Sequence, residues 1–227
     1  MMKTILKYFL FVMVLVVSSC DERIIEFEIR KTYIDGYEYV DLGLPSGIKW
    51  AAYNVGATKP EEYGGYYAWG ETEEKTDYSL ETYKWCNGSD DTMTKYCADS
   101  SCGTVDNKTV LDPEDDVAHV KWGGAWRMPT KAEQRELLNK CSWEWTTLNG
   151  VYGYRVTGPN GNSIFLPAAG YRSERWEVNM GHDGYYWSGS LYSSYSSLAY
   201  YLCFYSGNQY WNNNTRNRGQ SVRPVCK

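Results

Sequence analysis

The chain has 227 residues, carries 23 basic and 28 acidic side chains for a net charge of −5, and contains 22 Tyr and 10 Trp. An acidic chain with no Lys/Arg cluster excludes recognition of a phosphate backbone, so no nucleic-acid partner is expected. The length suits one good-sized domain with a tether, and because Leu, Ile and Val are thin, large rings must supply much of the core.

Met1 to Lys7 holds two positive charges, Lys3 and Lys7, and the apolar run Tyr8–Val17 then leads through Ser18 and Ser19 to Cys20. This is the order of an export signal, and the run is too short to span a bilayer comfortably. Val17-Ser18-Ser19-Cys20 resembles a bacterial lipobox, although the usual Leu and small residue are missing from its preceding positions. The resemblance implies a signal peptide over residues 1–19, cleavage before Cys20, lipidation of the Cys20 sulfur and a tether over residues 20–36. Each buried CH2 of an acyl chain contributes about 0.8 kcal/mol, so several chains on one cysteine would anchor the protein at the cell surface or in the periplasm. Loss of Lys3 and Lys7 leaves 21 basic against 28 acidic groups, or −7.

Asp21 to about Gly36 is charged, with room for one strand. Tyr37–Leu42 and Ile48–Val55 read as strands about a turn at Leu44-Pro45-Ser46-Gly47. The polar stretch Glu71–Lys108 holds Cys86, Cys97 and Cys102 and reads as a long loop in which cysteines replace a missing core. With Cys141, Cys203 and Cys226 they make six, an even number that favours disulfides outside the cytoplasm without choosing a pairing. No C-x2-C pair occurs and the chain has only His119 and His182, so metal binding by cysteine is the weaker reading.

Asp112-Pro113-Glu114-Asp115 offers an N-cap, a proline and first-turn acids for a helix that Gly123-Gly124 ends. Thr130-Lys131-Ala132-Glu133 has capping-box spacing and opens a second helix to about Cys141, with Leu137, Leu138 and Cys141 on its buried side. Asn149-Gly150 joins strands Trp143–Thr147 and Val151–Thr157, and Asn160-Gly161 turns into Ser163–Leu166. Further strands are expected at Tyr185–Ser188, Ala199–Tyr205, Gln209–Asn212 and Ser221–Cys226. The sum is an α+β domain over residues 37–227, with two helices followed by antiparallel strands.

Several phrases carry a resemblance. They are Tyr39-Val40-Asp41-Leu42-Gly43-Leu44-Pro45-Ser46-Gly47, Asn54-Val55-Gly56-Ala57 and Tyr67-Ala68-Trp69-Gly70-Glu71. Farther along come Gly124-Ala125-Trp126-Arg127-Met128-Pro129-Thr130, Phe165-Leu166-Pro167-Ala168-Ala169-Gly170 and Ser221-Val222-Arg223-Pro224-Val225. Over about residues 37–226 the chain resembles the Fibrobacter succinogenes major paralogous domain family of surface lipoproteins. The resemblance implies a C-type-lectin-like fold of two helices, antiparallel sheets and long loops. Formylglycine-generating enzymes and the variable proteins of diversity-generating retroelements share that fold. Tyr53 stands where many relatives carry cysteine, so a disulfide inferred from relatives does not transfer.

Between Gly184 and Gly219, Tyr, Ser, Asn and Gly supply 24 of 36 residues. Antibody paratopes use this alphabet because tyrosine offers large contact area with few rotors to freeze, while Ser, Gly and Asn supply adaptable hydrogen bonds. The expected binding patch is Tyr192, Tyr195, Tyr210, Trp211, Asn212, Asn213, Asn214, Arg216 and Arg218, facing a protein or glycan ligand. The variable proteins carry their diversified face in a similar C-terminal position. The competing readings are a carbohydrate-binding lectin that uses Trp and Tyr as stacking platforms, and a structural or adhesive module in which these rings are core and the asparagines are turns. Strand alternation requires part of that, with Tyr201, Cys203 and Tyr205 on one side and Tyr200, Leu202 and Phe204 on the other.

Asp90, Asp91, Asp99, Asp106, Asp112, Glu114, Asp115 and Asp116 are the oxygens that calcium could use, but their spacing matches no EF-hand. No cofactor is otherwise expected. His182-Asp183 lies near serines without a G-x-S-x-G elbow. Cys97 and Cys102 are spaced like the cysteine pair of formylglycine-generating oxidases but fall in the polar loop. Binding rather than catalysis is therefore the expectation. Arg127 and Arg223 each adjoin a proline segment and are expected to bond backbone carbonyls.

Overall fold

A computed structural model describes residues 31–227. The expected signal peptide, Cys20 and the tether up to residue 30 lie outside the described residues. Asp35 and Gly36, both at positive φ, turn strand β1 (Thr32–Ile34) into β2 (Tyr37–Asp41). The Pro-Ser-Gly turn follows, its Gly47 N–H donating to the Leu44 carbonyl at 2.9 Å, and leads to β3 (Lys49–Ala51). With β12 (Val225–Cys226) these form a sheet of order β1-β2-β3-β12. The third strand is shorter than the expected Ile48–Val55. The buried Arg223 guanidinium takes the carbonyls of Ala51 and Ala52 at 3.2 and 3.1 Å, and the chain leaves the ladder there.

From Ala52 to Asp112 only isolated bridges occur. The loop has its own core of Tyr66, Ala68, Tyr78, Tyr83, Met93, Cys97 and Cys102. A buried hydroxyl needs a partner, and each of these tyrosines donates to a carbonyl: Tyr66 to Ala169 and Tyr78 to Tyr66, both at 2.6 Å, and Tyr83 to Trp69 at 2.7 Å. The expected disulfide framework is not formed, because all six described cysteines are unpaired. Cys86 and Cys97 donate instead to the carbonyls of Leu80 and Asp99. Rings and Met93 hold this loop, where bridged sulfur was expected to do so.

The first helix starts later than its sequence suggests. Asp112 makes no capping bond, and Pro113–Asp115 is a single 3-10 turn. Asp116 is extended (φ −87, ψ 107) and caps α1 (Val117–Trp122), its carboxylate accepting from the N–H groups of Ala118 and His119. Helix α2 (Lys131–Lys140) has the expected capping box between Thr130 and Glu133. Its buried side is Gln134 and Leu137, with Leu138 and Cys141 half-buried.

Strands β4 (Ser142–Leu148), β5 (Val151–Thr157) and β6 (Ser163–Pro167) form one antiparallel sheet. Asn149 and Gly150, at φ 50 and 83, make the left-handed pair that a two-residue hairpin requires. A small hairpin, β7 (Tyr171–Ser173) and β8 (Trp176–Val178), was not expected, since Glu174 at φ 53 is not a residue that announces a turn. Last come β9 (Asp183–Leu191), β10 (Leu198–Tyr205) and β11 (Asn208–Thr215), in the order β11-β10-β9. The described residues are thus α+β, with two helices and several small, mainly antiparallel sheets.

The β9–β11 sheet divides the core. On one face Tyr186, Leu202 and Phe204 meet Leu137 of α2, Trp50, and Tyr154 and Leu166 of the β4–β6 sheet. On the other, Trp187, Tyr201 and Cys203 meet Trp69, Tyr96 and Trp126. Both faces are therefore packed over β9 and β10, and only the outer strand β11 carries a row of exposed side chains.

Candidate ligand-binding surface

Register decides where the expected patch residues go. Leu202 stands opposite Trp211 and Cys203 opposite Tyr210. Because opposed side chains share a face and neighbours alternate, Trp211 and Asn213 join Tyr200 on the α2 side, whereas Tyr210, Asn212 and Asn214 join Cys203 on the other. The expected patch is therefore split by its own strand.

On the α2 side the rings form a continuous shelf. Tyr195 stacks on Tyr192 at 6.4 Å, Tyr192 meets Tyr200 edge-on at 5.3 Å, and Tyr200 meets Trp211 at 5.6 Å. Tyr195 is 62% and Trp211 40% exposed, and Tyr192 and Tyr200 are half-buried. Lys131 lies over this shelf, its Nζ 3.6 Å from the Tyr200 ring centre and 4.2 Å from that of Trp211, and Arg135 approaches Trp211 at 5.9 Å. Sequence reasoning missed Tyr200, Lys131 and Arg135. The i, i+4 spacing of the two cations, which places them on one helix face, was the available signal.

On the opposite face Tyr210 stands opposite Cys203 across the ladder and touches Tyr205 edge-on at 6.4 Å. Tyr171, Tyr185 and Tyr201 continue that row inward, with centre separations of 4.7 and 5.6 Å. Burial pushes the Cys203 thiol up to about 11, and its bond to Cys203, then burial, push Tyr210 up to about 12. These groups stay protonated at neutral pH and behave as packing.

Along β11 the asparagines have a backbone role. The two-residue Ser206-Gly207 loop makes Tyr205 and Asn208 the closing pair, so even-numbered residues of β11 bond β10 and odd-numbered ones point their N–H groups outward. Two of those outward donors are taken: Asn213 N–H donates to Asn212 Oδ1 and Thr215 N–H to Asn214 Oδ1, both at 2.9 Å. The edge is partly closed by its own side chains, a recognised defence against strand addition.

Arg216 and Arg218 leave the patch altogether. Arg216 is fully buried, donating to Tyr83 Oη at 2.8 Å and to the carbonyls of Ser196, Lys95 and Tyr96 at 2.8, 3.0 and 3.2 Å. The rings of Trp69 and Tyr83 flank its guanidinium. Arg218 is half-buried and donates to Ser173 Oγ on β7. The surface described here is thus built from Tyr192, Tyr195, Tyr200, Trp211 and Asn213 with Lys131 and Arg135.

Residues 142–225 match a family model described as a domain of unknown function (DUF8237). That segment runs from the start of β4 to β12 and holds the whole β9–β11 sheet, while α2 lies before it. No curated protein and no solved structure matches the chain.

Of the acidic groups, Asp112, Glu114 and Asp115 converge, with ligand atoms within 4.8 Å of one another. Lysines meet them. Lys95 Nζ lies 2.7 Å from Asp112, 3.7 Å from Glu114 and 2.6 Å from Asp115, with Lys108 on Asp112 at 2.6 Å and Lys84 on Asp115 at 3.3 Å. Burial opposes ionisation of Asp115, but bonds from Lys95 and Tyr96 outweigh it and hold the carboxyl below its usual value. An ammonium stands where a divalent ion would, and calcium would have to displace it. The other acids are dispersed: Asp106 accepts from the N–H groups of Tyr96, Cys97 and Lys108, Asp99 from that of Ser101, and Asp116 caps α1. Asp91 accepts from the Ser89 hydroxyl, and Asp90 is exposed.

Asp183 accepts from Asn179 at 2.7 Å and Tyr185 at 3.0 Å, and the adjacent His182 is exposed. Arg223 behaves as its sequence suggested, bonding three carbonyls and Asn54 Oδ1, and burial draws it down to about 10. Arg127 differs, because besides the Met128 carbonyl it holds the Glu133 carboxylate at 2.6 Å.

Proposed function

We propose that this chain is a ligand-binding protein whose recognition surface is the ring shelf Tyr195-Tyr192-Tyr200-Trp211, presented at the outer edge of the β9–β11 sheet. The observation that carries the proposal is the shelf itself: four adjoining aromatic side chains, two of them substantially exposed, supplied by the segment between β9 and β10, by β10 and by β11. Rigid rings lose little entropy on contact, so such a shelf suits a protein or glycan ligand. The lipobox-like Cys20 supports lipid anchoring to a membrane, at the cell surface or in the periplasm. The ordered phrases from Tyr39 to Val225 support membership of the major paralogous lipoprotein family and a C-type-lectin-like fold, with a C-terminal binding face resembling that of the variable proteins. A structural or adhesive role is the second reading. The inward row Tyr171-Tyr185-Tyr201 and the buried Arg216 favour it for that half of the segment.

The test is binding of the full chain to arrays of oligosaccharides and extracellular proteins. Tyr195→Ala with Trp211→Ala should lower the strongest signal about tenfold or more. Trp176→Ala, which removes a more exposed ring (72%) on the β7–β8 hairpin, should leave it unchanged. Loss through Trp176 with no effect of the double substitution would contradict the proposal.

A further inference from the structure

Helix α2 sorts its charges. Its acids are engaged away from the shelf: Glu133 is held by Arg127 and Thr130, and Glu136 accepts from the Ser46 N–H and hydroxyl. Its two shelf-side cations, Lys131 and Arg135, bond no carboxylate or carbonyl among the described residues. Lys75, Lys95, Lys108 and Arg172, by contrast, each hold a carboxylate. Lys131 is also the first residue of α2, where the helix dipole disfavours a cation. Its ammonium rests against two ring faces and has no acceptor among the described residues. Beside it, the side-chain amide of Asn213 has no partner among the described residues.

We infer that the shelf binds an acidic oligosaccharide, a sugar chain bearing uronic-type carboxylates, with Lys131 and Arg135 meeting the carboxylate. The inference rests on the ligand-binding reading above. A pyranose has an apolar C–H face that lies on exposed rings such as Trp211 and Tyr195, and equatorial hydroxyls that suit the Asn213 amide. A carboxylate supplies the acceptor that Lys131 and Arg135 lack, and charge-assisted bonds of this kind are the stronger ones. An acidic peptide fits less well. An extended peptide would be recognised by adding a strand to the β11 edge, and the Asn212 and Asn214 side chains already occupy its outward Asn213 and Thr215 N–H groups. In a chain of net charge −5, two cations without a carboxylate partner among the described residues give the shelf a sign opposite to that of the chain as a whole.

Calorimetry on the full chain tests this with trigalacturonate, the neutral galactose trimer and hexaglutamate as probes. Trigalacturonate should bind at least about tenfold more tightly than the neutral trimer, and the preference should shrink as salt is raised. Lys131→Gln with Arg135→Gln should bring the trigalacturonate affinity down to that for the neutral trimer and remove its salt dependence, and Trp211→Ala should weaken both sugars. Equal binding of the two trimers, with loss on Trp211→Ala, would overturn the acidic class and leave the shelf as a binding surface. Hexaglutamate binding as tightly as trigalacturonate would assign the cations to a peptide and overturn the inference. Absence of binding by either sugar would overturn it too, and if the arrays were also blank the ligand-binding reading would fall with it.

Discussion

Arg216 shows how far a single residue can depart from its local context. In sequence it follows three asparagines and a threonine, which reads as surface. In the fold its partners, Lys95, Tyr96 and Tyr83, come from about 120 residues or more upstream, and no local pattern announces them. Replacing it strands three carbonyls and a hydroxyl in the core. Arg216→Met should therefore cost about 3–5 kcal/mol in urea unfolding, since removing one partner of a buried charged network is far more damaging than losing a surface contact. A loss under about 1 kcal/mol would place Arg216 at the surface after all. Arg223 was legible by comparison, because a proline-flanked arginine between apolar residues has little to bond but backbone.

At the scale of elements, the features with strong local chemistry were readable. The Thr130/Glu133 capping box, the Asn149-Gly150 hairpin and the alternation of β10 each follow from rules acting within a few residues, and the structure keeps them. What was not readable depends on competition between neighbours or on partners far away. Asp116 outcompetes Asp112 as helix cap because its carboxylate also reaches the distant Met128 N–H at 2.8 Å. Strand β3 stops at Ala51 because of Arg223. The strand expected at Gln209–Asn212 runs on through the asparagines to Thr215, and Asn212 and Asn214 cap its free edge. Substituting both with alanine frees two outward donors, so sedimentation of the Asn212→Ala, Asn214→Ala protein should show concentration-dependent association where the parent stays monodisperse. Unchanged sedimentation of both would mean that the caps do no protective work.

For the whole molecule, the α+β class and the order of elements other than the β7–β8 hairpin were legible, because aromatic-rich strands and two capped helices leave few other arrangements. The candidate surface was legible only in part. Tyr192, Tyr195, Trp211 and Asn213 lie together as expected, Tyr210, Asn212 and Asn214 turn to the other face, and Lys131 and Arg135 join from a helix some 60 to 80 residues earlier in the chain. A sheet has two sides and a strand alternates between them, so a run of nine promising residues was bound to divide. If the ligand-binding proposal holds, recognition occurs on the side that carries Trp211. The most direct measurement is an NMR titration of the isotope-labelled protein with the saccharide the array returns as strongest. The account predicts perturbation of the Trp211 indole, the Tyr192 and Tyr200 rings and the Lys131 and Arg135 side chains. Shifts confined to Tyr185, Tyr205 and Tyr210, or to the Trp176 hairpin, would contradict it.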